Sequence, residues 1–275
     1  MILDIDWGNT RIKWRIQNST ESEAQTYAVE LAQEDTIASI PVALRAIKTH
    51  KLFQQGKKPI RIRVVSVRSK AANAALADQL QDCFSVKAEF ARTAKKTAGI
   101  VNHYQNPEQM GVDRWSAVVA AVKRLADGRA CCVVDAGSAM TIDCVNAAAQ
   151  HLGGFILPGV AMQIGALYGG TDSIASAHEE PVDAIDLDRL FPDNTRDAVE
   201  QGVLLNLSSA VAMAAAMLQR ECSSSSNSHK LAVILTGGDA RRLESYWQTT
   251  EMLYGDFDVT ISDSLVLDGL NYLLT

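Results

Sequence analysis

The sequence has no excess of positive charge and no uninterrupted apolar run long enough to cross a membrane. Its formal net charge is −6 and its pI is about 5.4, which argues against a nucleic-acid-binding surface, since phosphate backbones are bound by basic patches. The longest apolar stretch, residues 203–218, is interrupted by Asn206, Ser208 and Ser209 and is shorter than the roughly 20 residues of a membrane span. Asp4 and Asp6 stand where a signal peptide would have its apolar core. We therefore expect a cytoplasmic protein that binds neither nucleic acid nor membranes.

Cysteine and histidine show no disulfide or metal-binding pattern. The five cysteines are odd in number and contain no C-x-x-C pair, so reduced thiols are expected. The five histidines are scattered without metal-ligand spacing. The rest of the composition is that of an ordinary globular protein, with 47% hydrophobic and 21% charged residues in a chain of 275. This is enough for one large domain or two of ordinary size.

One short pattern occurs twice, about half the chain apart. The first copy reads Asp6-Trp7-Gly8-Asn9-Thr10-Arg11-Ile12-Lys13, and the second reads Asp135-Ala136-Gly137-Ser138-Ala139-Met140-Thr141-Ile142. An apolar strand precedes each copy and an alternating strand follows. The aspartate can hold a cation, and the glycine lets backbone N–H groups approach an anion. One such turn is common, because Asp and Gly are ordinary turn residues. Two at equivalent places predict a duplicated unit with a polyphosphate held between the copies.

Apolar periodicity predicts two α/β halves that meet near Asp127. The first half is predicted to contain a hairpin over residues 2–17, strands over 60–67 and 86–89, helices over 35–51, 69–81 and 112–126, and a polar loop over 93–112. The second half is predicted to contain strands over 130–135, 140–146, 151–157, 231–235 and 258–261, helices over 161–168, 195–220, 240–249 and 263–274, and a loop over 172–193. This order indicates mixed sheets flanked by helices in two domains, 1–126 and 127–275.

A third signal follows the strand predicted at residues 231–235. It reads Thr236-Gly237-Gly238-Asp239 and precedes a predicted helix. A double glycine lets a flat group lie against bare backbone, and a helix N-terminus favours an anion. With the two turns, it predicts a nucleotide-binding phosphotransferase.

In this order, the two turns and the glycine pair resemble the acetate and sugar kinase, Hsp70 and actin superfamily. The resemblance implies two related RNase H-like (actin-like) domains, with ATP in the cleft between them. Over essentially the whole chain, five motifs further resemble those of type III pantothenate kinases. They are Asp6-x-Gly8-Asn9-Thr10, Gly111-Val112-Asp113-Arg114, Asp135-Ala136-Gly137-Ser138-Ala139-x-Thr141, Gly153-Gly154-Phe155-Ile156-Leu157-Pro158-Gly159 and Thr236-Gly237-Gly238-Asp239.

The resemblance to this family implies a role for each matching residue. Asp113 is implied as the catalytic base. ATP binding is implied for Asp6, Gly8, Asn9, Thr10, Lys13, Ser138, Gly237 and Gly238. The pantothenate pocket is implied to include Tyr104, Gly111, Val112, Arg114 and Thr195. Asp135 is implied as the ligand of a monovalent cation, and Asp6 is implied to lie near Mg²⁺.

Two residues depart from the family pattern. Ser138 stands where the family usually has threonine, and it keeps the hydroxyl. Trp7 occupies a position more often filled by a smaller residue, so we expect its side chain to point into the opposite face of the sheet, away from the phosphates.

Several of these residues also have a structural interpretation. Asp6 and Asp135 fit turn-capping acids, and Asp113 with Arg114 fits an acid at a helix N-terminus and a surface ion pair. Tyr104 fits a half-buried loop aromatic, and Thr195 fits the N-cap of a long helix.

The activity implied by the resemblance is ATP-dependent phosphorylation of pantothenate to 4′-phosphopantothenate, the first step towards coenzyme A. It implies Mg²⁺ with ATP, a monovalent cation (K⁺ or NH₄⁺) and a homodimer. Apolar residues on more than one face of the predicted helix over residues 198–220 also favour a dimer.

Two alternative functions stay open. One is an ATP-binding regulatory or switch protein of the same fold. The other is an RNase H-like nuclease with Asp4, Asp6, Asp113 and Asp135 around two metal ions.

Overall fold

The computed structural model describes residues 1–17, 25–30, 37–170, 190–222, 230–249 and 257–275. The chain divides into two compact units, one formed by Met1–Ala120 with Ser264–Thr275 and the other by Ala121–Asp263. The sequence prediction placed the last residues in the C-terminal domain, whereas the structure packs them within the first unit. Most of the loop predicted over residues 172–193 lies outside the described residues.

The strands fall into two five-stranded sheets and one small hairpin. The first sheet contains β1 Ile2–Trp7, β2 Arg11–Gln17, β3 Thr26–Glu30, β4 Arg61–Ser66 and β5 Ala88–Phe90. The hairpin contains β6 Lys96–Thr97 and β7 Ile100–Val101. The second sheet contains β8 Cys131–Ala136, β9 Ala139–Val145, β10 His151–Pro158, β11 Ala232–Thr236 and β12 Asp258–Ile261.

The helices flank these sheets. In chain order they are α1 Ile40–Lys48, α2 Lys51–Gln54, α3 Lys70–Phe84, α4 Val112–Arg124, α5 Val160–Gly170, α6 Thr195–Cys222, α7 Ala240–Thr249 and α8 Leu265–Leu273, with a 3₁₀ turn at Pro107–Gln109. The hairpin of β6 and β7 lies in the segment predicted as a polar loop. Two-residue strands are too short to show a period of two in the sequence.

The two sheets share one plan. Their strand orders are β3-β2-β1-β4-β5 and β10-β9-β8-β11-β12. In each, the first three strands in sequence are antiparallel neighbours. The fourth strand pairs in parallel with the first, and the fifth pairs in parallel with the fourth. The fold class is therefore confirmed as mixed α/β with a repeated unit, and each unit has its own apolar core. Trp7 lies in the first core with 1% of its surface exposed, as predicted for its side chain.

A buried charge network attaches α8 to the first sheet. The Asp4 carboxylate is fully buried and accepts hydrogen bonds from Arg15 Nε at 3.0 Å and from Arg63 Nε at 2.7 Å. Arg15 also forms an ion pair with Asp268 on α8 and donates to the carbonyl of Leu267 at 2.8 Å. Buried charges are tolerated when they are paired and hydrogen-bonded in this way. The C-terminal helix is thus part of the first unit through polar contacts as well as packing.

The second core contains the long helix α6 and most of the cysteines. All five cysteines are free thiols, and burial raises the pKa of Cys131 to about 12. Helix α6 is long and apolar enough to meet the length and composition of a membrane span, and half of its most apolar window is buried inside the protein. A long core helix meets the same criterion.

Candidate functional site

The first predicted phosphate turn lies between β1 and β2. Gly8 N donates to the Arg11 carbonyl at 3.0 Å, which closes the turn. Asp6 and Lys13 are direct cross-strand partners on either side of it, so their side chains share one face of the sheet. Asn9 at the tip is exposed. The turn therefore presents a carboxylate, an ammonium group and an accessible backbone within a few residues.

The second predicted turn has the same construction between β8 and β9. Gly137 N donates to the Ala139 carbonyl at 3.3 Å, and Asp135 pairs across the strands with Thr141. Asp135 is half-buried, whereas Ser138 at the tip is exposed. Both Asp-x-Gly patterns thus form the strand–turn–strand structures that the sequence predicted.

Gly237 brings the predicted adenosine motif against the second turn. Strand β11 runs parallel to β8 with Thr236 opposite Asp135, and Asp239 N donates to the Ala136 carbonyl at 3.0 Å. Gly237 has a φ of +95°, and a Cβ there would overlap the Ala136 carbonyl and lie 2.6 Å from Asp135 Oδ1. Only glycine fits this backbone conformation and this space. The structure therefore places Gly237 next to Asp135, and Gly238 follows Gly237 in the chain.

Gly159 approaches the same turn from the other side. Its N–H donates to the Ser138 carbonyl at 3.0 Å. A Cβ at Gly159 would lie 2.6 Å from that carbonyl oxygen and overlap the Gly137 carbonyl. The sequence interpretation did not include Gly159 among the site residues. Its place at the end of the Gly153–Gly159 motif was the signal that pointed to it.

The predicted base and the predicted substrate residues other than Thr195 form a second cluster, in the first unit. Asp113 Oδ1 accepts from the Arg114 backbone N–H at 2.8 Å, and Arg114 Nη1 donates to the Tyr104 hydroxyl at 3.1 Å. The Arg114 guanidinium also lies over the Tyr104 ring, 5.9 Å from its centroid. A Cβ at Gly111 would lie 2.5 Å from Asp113 Oδ1, so glycine leaves room for the carboxylate. Val112 is the first residue of α4.

The loop that carries Tyr104 is held by polar contacts that the sequence interpretation missed. Lys95 Nζ donates to the Tyr104 carbonyl at 3.1 Å, and the Tyr104 N–H donates to Asn102 Oδ1 at 2.9 Å. Asn102 is completely buried, and its own N–H donates to the Lys95 carbonyl at 2.9 Å. These contacts fix the position of Tyr104 relative to Arg114.

Thr195 lies in the second unit, at the first residue of α6. It is exposed and lines a groove of about 340 Å³ between α5 and α6. The other lining residues are Gln163, Leu167, Ala198, Val199, Gly202 and Val203. The groove is mainly apolar, with the Thr195 hydroxyl and the Gln163 amide as its polar groups. Such a lining suits an organic molecule with a few polar atoms.

The nuclease alternative fails at Asp4. Its carboxylate is fully buried and bonded to two arginines, so it cannot join a solvent-accessible metal cluster. Within the described ranges, no group of three or more His, Cys, Asp or Glu side chains is arranged to hold a metal ion. The two-metal cluster that included Asp4 is therefore wrong.

Sequence comparisons match this chain to one family. The profile of the type III pantothenate kinase family matches residues 2–217. The type III pantothenate kinase of Pseudomonas fluorescens (strain SBW25) is 35% identical over 244 residues, covering 87% of this chain and 89% of that protein. Those of Pseudomonas aeruginosa (strain LESB58) and Azotobacter vinelandii are each 37% identical, and each covers 87% of this chain. The alignments cover 89% and 88% of those two proteins.

Solved structures of similar fold have much lower sequence identity. A putative 2-dehydro-3-deoxygalactonokinase from Sinorhizobium meliloti superposes with a TM-score of 0.54 at 11% identity, covering 98% of this chain and 97% of that one. The ethanolamine utilization protein EutJ from Carboxydothermus hydrogenoformans gives a TM-score of 0.51 at 11% identity, covering 97% and 87%. At these identities the likeness shows the fold alone.

Proposed function

The chain belongs to the type III pantothenate kinase family, and on that basis we propose that it transfers the γ-phosphoryl group of ATP to pantothenate. The product is 4′-phosphopantothenate, and the reaction is the first step of coenzyme A biosynthesis. The structural observation that carries the proposal is the second turn, against which Gly159 and Gly237 both pack without room for a side chain. These contacts hold the second turn in one conformation with Ser138 exposed at its tip, where backbone N–H groups can approach a phosphate.

The first turn is proposed to bind the ATP phosphates. Beyond Gly8, whose N–H closes the turn, Asn9 and Thr10 present the backbone of the tip, and Lys13 and Asp6 add one ammonium and one carboxylate. Mg²⁺, when bound with ATP, neutralises charge on the phosphates. The residues fit this ion, because Asp6 offers the oxygen ligand that Mg²⁺ prefers.

The cluster around α4 is proposed to bind pantothenate and to take its proton. Tyr104, Gly111, Val112 and Arg114 position the acceptor hydroxyl. Asp113 then accepts the proton as the hydroxyl attacks the γ-phosphorus. An aligned hydroxyl and a nearby carboxylate are what this step requires from the protein.

Asp135 is proposed to hold a monovalent cation, K⁺ or NH₄⁺. Its carboxylate lies beside the Gly237 backbone, and the Gly137 carbonyl lies in the same turn. Carboxylate and carbonyl oxygens suit such ions, so the residues fit the group. Ser138, Gly237 and Gly238 are proposed to contact the nucleotide at this turn.

A coupled assay of ADP release tests the function. We expect turnover only when ATP, Mg²⁺ and pantothenate are all present, with a further increase on replacing Na⁺ by K⁺ or NH₄⁺. Turnover on acetate or a sugar with none on pantothenate would contradict the proposal. ATP binding without turnover on any acceptor would instead indicate a regulatory protein of the same fold.

Substitution of Gly237 by alanine is expected to weaken both nucleotide binding and the fold around the second turn. The added methyl group overlaps the Ala136 carbonyl at a positive φ, which costs about 1–3 kcal/mol and pushes the motif away from Asp135. Calorimetric titration with ATP and a thermal melt measure the two effects. Gly165→Ala on α5, where a Cβ meets nothing within 4 Å, is the control. Unchanged ATP affinity and melting temperature in Gly237→Ala would show that this close approach is not required.

A homodimer formed through the second unit is also proposed. Exposed large apolar side chains gather on β10, α5 and α6, namely Phe155, Ile156, Met162, Leu167, Leu205, Met213 and Met217. Scattered exposed apolar residues are normal, but a set on neighbouring elements marks an interaction surface. A second copy of the chain can cover this surface by two-fold symmetry.

Met213→Glu is expected to convert the dimer into a monomer. Met213 is 63% exposed, so the charge costs little in the isolated subunit but is buried in a dimer. Sedimentation velocity at micromolar concentration measures the change. Ile60→Glu, at a position 78% exposed in the first unit, should leave the dimer intact. A wild-type monomer under the same conditions would disprove the assembly.

The cytoplasm is the proposed location. The supporting observations are the chain's free cysteines and the partly buried position of α6 in the second core. Reduced thiols are typical of that compartment.

A further inference from the structure

Arg68 follows β4 after one intervening residue, Val67, at the end of the first sheet that carries the first phosphate turn. Strands β1 and β4 are parallel neighbours, and Val67 N donates to the Trp7 carbonyl at 3.4 Å, which carries the pairing one residue further. Arg68 Nη2 donates to the Asn9 carbonyl at the tip of the turn, at 2.6 Å. Its guanidinium also lies over the Trp7 ring, 5.9 Å from the centroid. The side chain therefore contacts residues on both sides of Gly8.

The backbone of Arg68 is fixed by its neighbours. Its N–H donates to Ser66 Oγ at 3.2 Å, and its carbonyl accepts from Asn73 Nδ2 at 3.3 Å. Ser66 Oγ in turn donates to Asn73 Oδ1 at 2.6 Å, and Ser69 caps α3 by accepting from Ala72 N at 3.2 Å. The end of β4 and the start of α3 thus hold one arginine at the turn. Such support is typical of residues whose position matters for binding.

Arg68 carries its charge in a half-buried setting. Burial lowers the pKa of its guanidinium, yet an arginine stays protonated at neutral pH. The pKa of Arg61, at the other end of β4, shifts in the opposite direction, because a hydrogen bond to Glu89 raises it. A partly desolvated guanidinium beside a turn of exposed backbone attracts a phosphate more strongly than a fully hydrated one.

We propose that Arg68 is a phosphate-positioning residue of the kinase, which holds the Gly8–Thr10 turn through the Asn9 carbonyl and directs its positive charge at the ATP phosphates bound there. The sequence motifs assign only Lys13 as a cation at this turn, so Arg68 is an addition to the site. The inference rests on the proposed function, since it requires that the first turn binds ATP.

The number of phosphates on the ligand provides the test. Calorimetric titrations with Mg²⁺-ATP, ADP and adenosine are compared for wild type, Arg68→Gln and Arg68→Lys. We expect Arg68→Gln to lose about tenfold or more in affinity for ATP, less for ADP and under about twofold for adenosine, because a charge-assisted hydrogen bond is lost. In steady-state assays the KM for ATP should rise while the KM for pantothenate stays within about twofold. Arg68→Lys, which keeps the charge, should lose less ATP affinity than Arg68→Gln.

Arg61→Gln is the matched control. It makes the same change at the opposite end of β4, removes a partly exposed ion pair and should leave all three affinities unchanged. If Arg68→Gln lost equal affinity for ATP and adenosine, Arg68 would have only a structural role and the inference would be overturned. Wild-type affinity of Arg68→Gln for ATP would also overturn it. If Arg68→Gln is unfolded in a thermal melt, the same comparison is made on Arg68→Lys alone. Its loss of ATP affinity must then exceed its loss of adenosine affinity. Failure of wild type to bind ATP would instead reject the proposed function itself.

Discussion

Asp113→Asn is expected to lower kcat by about a hundredfold or more, the effect of losing a general base. Asparagine has nearly the same shape, and its carbonyl can still accept the Arg114 backbone N–H that Asp113 Oδ1 accepts at 2.8 Å. The start of α4 should therefore keep its structure, while the group that takes the pantothenate proton is gone. Steady-state kinetics with saturating ATP and pantothenate measure the loss, and the KM values should change little.

This substitution separates catalysis from helix capping. If Asp113 is only an acid in the first turn of α4, the asparagine variant will retain near-native kcat, and the base assignment falls while the fold stands. Asp78→Asn, an exposed position on α3, makes the same chemical change where no role is proposed and should behave as wild type. Equal melting temperatures for the three proteins would show that the loss is chemical.

Asp4→Ala is expected to destabilise the protein by about 3–5 kcal/mol, the usual result of removing one partner of a buried ion pair. The substitution leaves Arg15 with the Asp268 carboxylate, while buried Arg63 keeps hydrogen bonds to the uncharged Leu270 carbonyl and Asn271 Oδ1. For a chain of this size the melting temperature should fall by roughly 10 °C or more. Differential scanning calorimetry and urea denaturation measure the effect.

Glu89→Ala is the comparison for the buried network. It removes an ion pair with Arg61 whose two side chains are 42% and 30% exposed, and exposed pairs contribute about 1 kcal/mol or less. A cost for Asp4→Ala no larger than that for Glu89→Ala would show that the network does not stabilise the first unit.

The sequence predicted best where a pattern is local. Both Asp-x-Gly turns and the Thr236–Asp239 motif form as expected, because a turn needs only its own residues and the strands beside it. The repeated unit followed from the spacing of those turns, and the two sheets show it in their shared strand order.

The sequence predicted least where distant residues meet. Asp4, Arg15 and Arg63 look like ordinary polar residues of alternating strands, and nothing near them indicates that α8 covers them. Arg68 was missed for the same reason, since its contact with Asn9 joins residues that are far apart in the chain. Which elements pack together depends on the whole fold, and one sequence carries no local signal of it.

The attachment of α8 to the first sheet has a consequence for synthesis. The first unit joins Met1–Ala120 to Ser264–Thr275, which are synthesised only after the whole of the second unit. Until α8 has been synthesised, Arg15 lacks Asp268 and the Leu267 carbonyl as acceptors, and Arg63 lacks the Leu270 carbonyl and Asn271 Oδ1. A ribosome that stops before residue 264 therefore releases a polypeptide whose N-terminal half is unfinished, and proteases that sample loosely folded chains will remove it.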